Sequence, residues 1–335
     1  MSRAAARKKE RKISRDEVNS KAAQQAAKKN TKLDEPSAPA PAVAAAGGDQ
    51  TSIWASRLRV STKLAMQAGQ AMLDARGVGP HGGDVTYKGR HDLVTKTDRS
   101  NEELIERGLK KAFPGDKFLG EEASAERGGA PSELAENVLT WIVDPIDGTT
   151  NFVHGFPATC VSIGLARGEE ILVAVIYNPF TTELYQAVKG YGAYLDGQRL
   201  AVSKAKILNQ SLVVSEYSYL REEKSLRKMM ETTGRIAGKA RAVRMTGCGA
   251  MDLCYLARGS VDAVYGGVAG VWKPWDWAAG VLIAKEAGAK IFAGDGAAFK
   301  IMGDTILGAA TPELASALTQ LTALSDLYVE KMSCQ

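Results

Sequence analysis

Six residues, Val138-Leu139-Thr140-Trp141-Ile142-Val143, are apolar at all but one position and run straight into Asp144-Pro145-Ile146-Asp147-Gly148-Thr149-Thr150-Asn151. An apolar run of this length without alternation predicts a buried strand, which needs structure packed over both of its faces. An aspartate at the end of such a strand lies at the sheet's carboxyl edge, where ligands bind in α/β-type sheets. Pro145 fixes φ and is expected to bend the chain away, with a second aspartate three positions after the first. Gly148 has no Cβ, so backbone there can approach a phosphate closely. Thr149-Thr150-Asn151 is expected to open a helix whose free N–H groups and positive dipole end attract an anion. Carboxylates beside anion-binding amides make sense if hard cations lie between them, and Mg²⁺ favours oxygen ligands and shares itself with phosphate. The same spacing also suits two aspartates that merely cap a turn, and this segment alone does not choose.

The chain around it is long enough, at 335 residues, for one large or two intimately packed domains. No apolar run approaches the roughly 18 residues of a membrane span, so no membrane partner is expected. The net charge of +5 is local: residues 1–50 hold eleven Lys/Arg against six Asp/Glu, and the remainder balances at 32 of each sign. Residues 1–50 are rich in Ala, Lys, Pro and Ser, cannot bury enough apolar surface to offset ordering, and read as a disordered basic tail. Arg7-Lys8-Lys9-Glu10-Arg11-Lys12 is open to a nuclear-signal or nucleic-acid reading, but a solvated tail is preferred and nucleic acid is not expected as the principal partner. Cys160, Cys248, Cys254 and Cys334 lack metal-ligand spacing and fit reduced thiols in a cytoplasmic enzyme.

Periodicity predicts a helix over Ile53–Arg76, through Trp54, Leu58, Leu64, Ala65 and Met72, stopping before Gly77 and Gly79. Asp92–Thr95 reads as a strand, Ser100-Asn101-Glu102-Glu103 as the opening of a helix to about Ala112, and Pro114-Gly115-Asp116 as a turn. Cys160–Ala166, Ile171–Tyr177 and Glu183–Val188 predict an antiparallel meander. Later come a strand at 212–214, a helix over 220–236, a helix over Ala279–Ala287, a strand at Ile306–Ala309, and a last helix capped by Thr311-Pro312-Glu313 and running to about residue 331. The order is α+β followed by α/β, with halves at 51–205 and 206–335.

Three further segments place acids at turn or strand-end positions: Lys88-Gly89-Arg90-His91-Asp92-Leu93-Val94-Thr95-Lys96-Thr97-Asp98, Phe118-Leu119-Gly120-Glu121-Glu122 and Lys273-Pro274-Trp275-Asp276. These, with the DPIDGTTN segment and in this order, resemble the inositol monophosphatase family of magnesium-dependent, lithium-sensitive phosphatases over about residues 52–330. The resemblance implies a layered αβαβα sandwich of the inositol monophosphatase/fructose-1,6-bisphosphatase type, usually homodimeric. It implies two or three Mg²⁺ per site: Glu121, Asp144 and the carbonyl of Ile146 on one, and Asp144, Asp147 and Asp276 on a second. It makes Thr149, oriented by Asp98, the pair that helps a metal-activated water lose its proton. The amides of Gly148 and Thr149 would receive phosphate, and Gly247-Cys248-Gly249 matches a ring-facing stretch more loosely. Glu121, Asp147 and Asp276 thus adjoin substrate as well as metal.

A haloacid-type phosphatase is excluded because position 146 is Ile146 rather than a second aspartate. No G-x-S-x-G elbow or Walker loop occurs. His81, His91 and His154 do not cluster; His154 reads as structural, and Lys88 as either solvated or close to the metals. The expected substrate is a small phosphomonoester, first inositol monophosphate, with 3′-phosphoadenosine 5′-phosphate, fructose 1,6-bisphosphate and histidinol phosphate as alternatives. Inositol-hydrolysing members of the family typically carry a glutamate after a D-A-x-Y-like segment. Here Asp262-Ala263-Val264-Tyr265 is followed by Gly266-Gly267 and no acid before Asp276, so a hydroxyl-binding carboxylate is missing or replaced.

Overall fold

The computed structural model describes residues 49–76, 85–87, 93–131, 133–217, 222–267 and 272–323, all within one compact unit. Residues 1–48 of the basic tail, His81, Lys88, His91, Cys334, the stretch 268–271 and the expected end of the last helix at 324–331 lie outside the described residues, whereas residues 49 and 50, expected in the tail, open a helix. The first helix, α1 (Asp49–Arg76), ends where the spacing predicts and begins a few residues earlier. A two-stranded ribbon, β1 (Val85–Tyr87) against β2 (Leu93–Thr95), leads directly into α2 (Lys96–Ala112). The expected opening at Ser100 is therefore corrected: the N-cap is Thr95, whose side chain accepts from Asp98 N–H while Asp98 reaches back to Thr95 N–H. This capping box starts the helix one turn sooner than the polar run at Ser100 suggests.

After the turn at Pro114-Gly115-Asp116 come β3 (Lys117–Gly120), α3 (Glu121–Glu126), β4 (Leu139–Asp147) and α4 (Thr149–His154). The meander follows as β5 (Cys160–Arg167), β6 (Glu170–Asn178) and β7 (Glu183–Val188), extended by β8 (Ala193–Leu195) and β9 (Gln198–Arg199). These strands form a seven-stranded sheet in sequence order from β3 to β9; β3 is parallel to β4 and every other pair is antiparallel. The second sheet is built from β10 (Leu212–Ser215), β11 (Ala242–Arg244), β12 (Ala263–Gly266), β13 (Lys290–Phe292) and β14 (Ile306–Ala309), in the order β11-β10-β12-β14-β13. Between its strands run α5 (Glu223–Ala237), α6 (Gly249–Ala257) and α7 (Pro274–Glu286), and α8 (Pro312–Thr322) follows the last strand.

Alternation along the strands explains the layers. Trp141 and Val143 of β4, with Val173 and Val175 of β6, pack with Leu58, Ala65 and Met72 of α1 and with Ile105 and Leu109 of α2. The intervening Ile142, Ala174 and Ile176 face the other way, into a core shared with α6, α7, and Val264 and Ile306 of the second sheet. Ala263, Tyr265, Leu307 and Ala309 turn outward onto Met229 and Ile236 of α5 and Leu314 and Leu318 of α8. Period-two side-chain placement on two sheets thus produces five layers, αβαβα, the expected architecture. The central α6/α7 layer touches both sheets and is enclosed by them: every residue of α6 except Tyr255 is buried, Asp252 included.

One polar cluster anchors the outer helix layer. Arg57 donates to both Asp116 oxygens, at 3.1 and 3.3 Å, lies over the Phe113 ring, and shares Asp116 with Trp141 Nε1 at 3.0 Å. The bidentate pairing fixes α1 against the β3 turn, at the opposite end of β4 from its aspartates.

Candidate active site

Asp144 and Asp147 both lie within β4, so the strand does not end at Asp144 as expected but runs on to Asp147; Pro145 is accommodated inside it rather than bending the chain away. In a regular strand, residues three apart project from opposite faces. Here Asp144 pairs with Ser162 and Asp147 with Cys160, so β4 spends three steps where β5 spends two. The extra residue is a β-bulge, and it rotates both carboxylates onto the face that meets α6 and α7. Proline is tolerated because a bulged position need not donate to the ladder. Asp144 Oδ1 also accepts Ile146 N–H at 2.9 Å, so the turn-capping reading holds for that oxygen as well.

Asp276 is brought to this face by α7. It is corrected from a turn position to the third residue of a helix that has Pro274 at its start, and its carboxylate accepts Lys273 N–H at 2.6 Å. Oxygens of Asp144, Asp147 and Asp276 all fall within 4.8 Å of one another. Burial, then the charges of Glu121, Asp147 and Asp276, push the Asp144 carboxyl well above its ordinary value. Asp276 is raised in the same way by burial and by Asp147 and Glu121, against the opposing Lys273 N–H. Asp147 is pushed up to about 6, mainly by burial, although Ala250 N–H and the Cys248 thiol favour its charged form. Glu121 opens α3 beside them and is a source of the field on all three.

Gly148 separates β4 from α4. Its φ of 80° is left-handed, and a Cβ there would come within 2.9 Å of Ala158 O, so both backbone and space demand glycine. The α4 helix is only six residues long, so attraction for an anion at Gly148 and Thr149 rests on individual N–H groups rather than on a long macrodipole. Thr149 Oγ1 stands 3.2 Å from Asp98 Oδ1 and 3.1 Å from Ile146 O. Thr95 occupies the other Asp98 oxygen through both its N–H and its hydroxyl.

Gly247-Cys248-Gly249 leads into α6 against Asp147 itself. Ala250 N–H donates to Asp147 Oδ2 at 2.6 Å and the Cys248 thiol to the same oxygen at 3.1 Å. Three groups support the site in roles that the sequence does not show. Glu102, buried in α2, accepts Glu122 N–H and Ala123 N–H at 2.7 Å each and so caps α3 just behind Glu121. Glu216 accepts Thr246 N–H and Gly247 N–H, and Asn151 Nδ2 donates to Ala158 O and Thr246 O, both at 2.7 Å. Arg99 stands three positions before Glu102 and offers it an ordinary helical partner, so nothing in the sequence marks its role; the groups it accepts from lie 20 and 21 residues on. His154 is exposed at the end of α4.

The inositol monophosphatase family model matches residues 54–325. Inositol monophosphatase 1 of Solanum lycopersicum is 42% identical over 242 residues, covering 72% of this chain and 86% of that protein. The extragenic suppressor protein suhB from Bartonella henselae has a TM-score of 0.70 at 29% identity, over 79% of this chain and 98% of that one. Inositol monophosphatase from Anabaena gives 0.66 at 30% identity, over 79% and 94%. The acidic face at the edge of β4, the five-layer fold and a match spanning nearly every described element agree: the chain belongs to the inositol monophosphatase family and is a phosphoric monoester hydrolase.

Proposed function

We propose that this enzyme hydrolyses inositol monophosphate to inositol and phosphate with magnesium as its cofactor. The observation that carries the reading is the convergence of Asp144, Asp147 and Asp276 beside the Gly148-Thr149 amides. Three carboxylates crowded together, Asp144 and Asp147 buried and Asp276 half-buried, repel one another, and all three carboxyls are pushed above their ordinary values. A donor set made only of oxygens with unbalanced negative charge fits a hard divalent cation. Glu121, Asp144 and the Ile146 carbonyl would hold one ion and Asp144, Asp147 and Asp276 another. Bound there, magnesium lowers the pKa of water and neutralises charge on the phosphate.

The chain's own part is positioning and proton handling. The Gly148 and Thr149 amides receive phosphate oxygens. Thr149 Oγ1 directs its proton to Asp98 Oδ1, which leaves a lone pair free to accept from the attacking water. Thr95 keeps Asp98 in that orientation. Gly247-Cys248-Gly249 forms the wall nearest the leaving alcohol, and no side-chain nucleophile is required. We further infer a cytoplasmic homodimer sensitive to lithium, with halves divided near residue 205; the separate sheets of 117–199 and 212–309 support that division. Among the described residues no helix is long and apolar enough to cross a membrane. The test is phosphate release with magnesium across inositol 1-phosphate, 3′-phosphoadenosine 5′-phosphate, fructose 1,6-bisphosphate and histidinol phosphate. Turnover highest on inositol 1-phosphate is expected, and a clear preference for another member reassigns the substrate.

A further inference from the structure

We propose that Asp147, Cys160 and Cys248 form a second metal site, for a thiophilic divalent cation such as Zn²⁺ or Cd²⁺, at the floor of the catalytic cluster. The three residues come from β4, β5 and the loop before α6, and one ligand atom from each falls within 4.8 Å of the others. Cys160 Sγ is 3.8 Å from Cys248 Sγ, and Cys248 Sγ is 3.1 Å from Asp147 Oδ2. Two thiolates held at about 2.3 Å from a tetrahedral zinc stand about 3.8 Å apart, so the sulfur pair already has the required span. The Asp147 main-chain carbonyl, 3.5 Å from Cys248 Sγ, offers a fourth donor.

Chemistry separates this site from its neighbour. Asp144 and Asp276 bring only oxygens, whereas two sulfurs select soft cations over magnesium. Cys160 and Cys248 are 0% and 1% exposed and Asp147 beside them is 7% exposed, so only a small ion can reach them. The thiols form a chain of weak donors running from Cys160 through Cys248 to Asp147. Binding replaces that chain: two thiol protons leave to solvent and two sulfur–metal bonds form, with no change of oxidation state. Asp147 belongs to both sites, so an ion on the sulfurs engages a carboxylate that the proposed magnesium cluster needs. Binding is read here without turnover, so failure of this inference and failure of the magnesium reading are distinguishable.

The experiment is a Cd²⁺ titration of the full chain in excess phosphine reductant, following thiolate-to-metal charge-transfer absorption in the ultraviolet and proton release in weak buffer. The expected result is a band that saturates at one ion per chain with two protons released. The band is lost in Cys160→Ala and in Cys248→Ala and is retained in Cys254→Ala, whose thiol is buried outside the trio. Melting curves of each variant establish folding, and Cys160→Ser provides a second probe at that position. A wild-type protein without the band overturns the site, because cadmium then binds only carboxylates or not at all. A band that survives in both cysteine variants overturns it too. An intramolecular disulfide formed in air, with no band under reductant, would assign the pair to redox chemistry instead.

Discussion

Thr149 Oγ1 lies 3.2 Å from Asp98 Oδ1, and the two residues are 51 positions apart in the chain. The capping box at Thr95 gives Asp98 a structural task on one oxygen and leaves the other for Thr149. A pair that acts on the proton of the attacking water is used in the transition state more than in substrate binding. Thr149→Ala and Asp98→Asn should therefore lower kcat by about 10²-fold or more, with KM little changed. Thr149→Ser, which keeps the hydroxyl, should retain most of the activity. Steady-state kinetics checks this, and an effect confined to KM would move the pair to substrate positioning.

Glu102 holds the first turn of α3 by accepting from Glu122 and Ala123. Glu102→Ala leaves two N–H groups without their buried acceptor, at a cost of about 1–3 kcal/mol in stability. The same change loosens Glu121, so the magnesium concentration for half-maximal activity should rise while kcat at saturation is largely kept. A melting curve and a magnesium titration test both parts, and an unchanged magnesium requirement would show that Glu121 is positioned by other contacts.

Asp147 supplies a pH signature. Its carboxyl is raised from 3.8 to about 6, so the folded protein binds that proton more tightly than the unfolded chain. Stability from this group is complete below about pH 3.8 and is lost as the pH rises through about 6. In chelator, Asp147→Asn should gain stability relative to wild type across that window, by on the order of 3 kcal/mol at most. Added magnesium should reverse the ranking at neutral pH. A stability difference that does not vary between pH 4 and 7 would sink the argument.

Much of this was legible in the sequence. The long apolar run, the three meander strands and the strand at Ile306–Ala309 appear nearly where periodicity puts them, because each is buried and lacks competing capping signals. The α2 start was misplaced because Thr95-x-x-Asp98 competes with the polar run at Ser100, and only tertiary packing decides between them. Two aspartates three apart were visible, but not the bulge that puts them on one face, since its register depends on β5. Glu102 and Glu216 were invisible as site supports, because their partners are 20 to 31 residues away and are main-chain groups.

The missing acid after Tyr265 bears on selectivity. Gly266 and Gly249 face the Trp272 ring, which a Cβ on either would approach to 2.7 and 3.0 Å. An indole edge fills that space and offers no acceptor for a ring hydroxyl. Buried polar groups that demand a partner are what make a site reject analogues strongly. Inositol 1-phosphate, glycerol 2-phosphate and simple sugar phosphates should accordingly differ by less than about a hundredfold in kcat/KM, or roughly 2.7 kcal/mol. A wider spread in a competition series would mean that other groups read the ring.

In the proposed mechanism the Asp144–Asp147–Asp276 cluster works through magnesium. The most direct measurement is phosphate release from inositol 1-phosphate by chelator-dialysed enzyme, before and after Mg²⁺ is returned, beside Asp276→Asn. The expected result is no turnover without metal, saturable recovery with Mg²⁺, and a folded but inactive variant. Full turnover in metal-free buffer, or an Asp276→Asn enzyme within a few-fold of wild type, would contradict it.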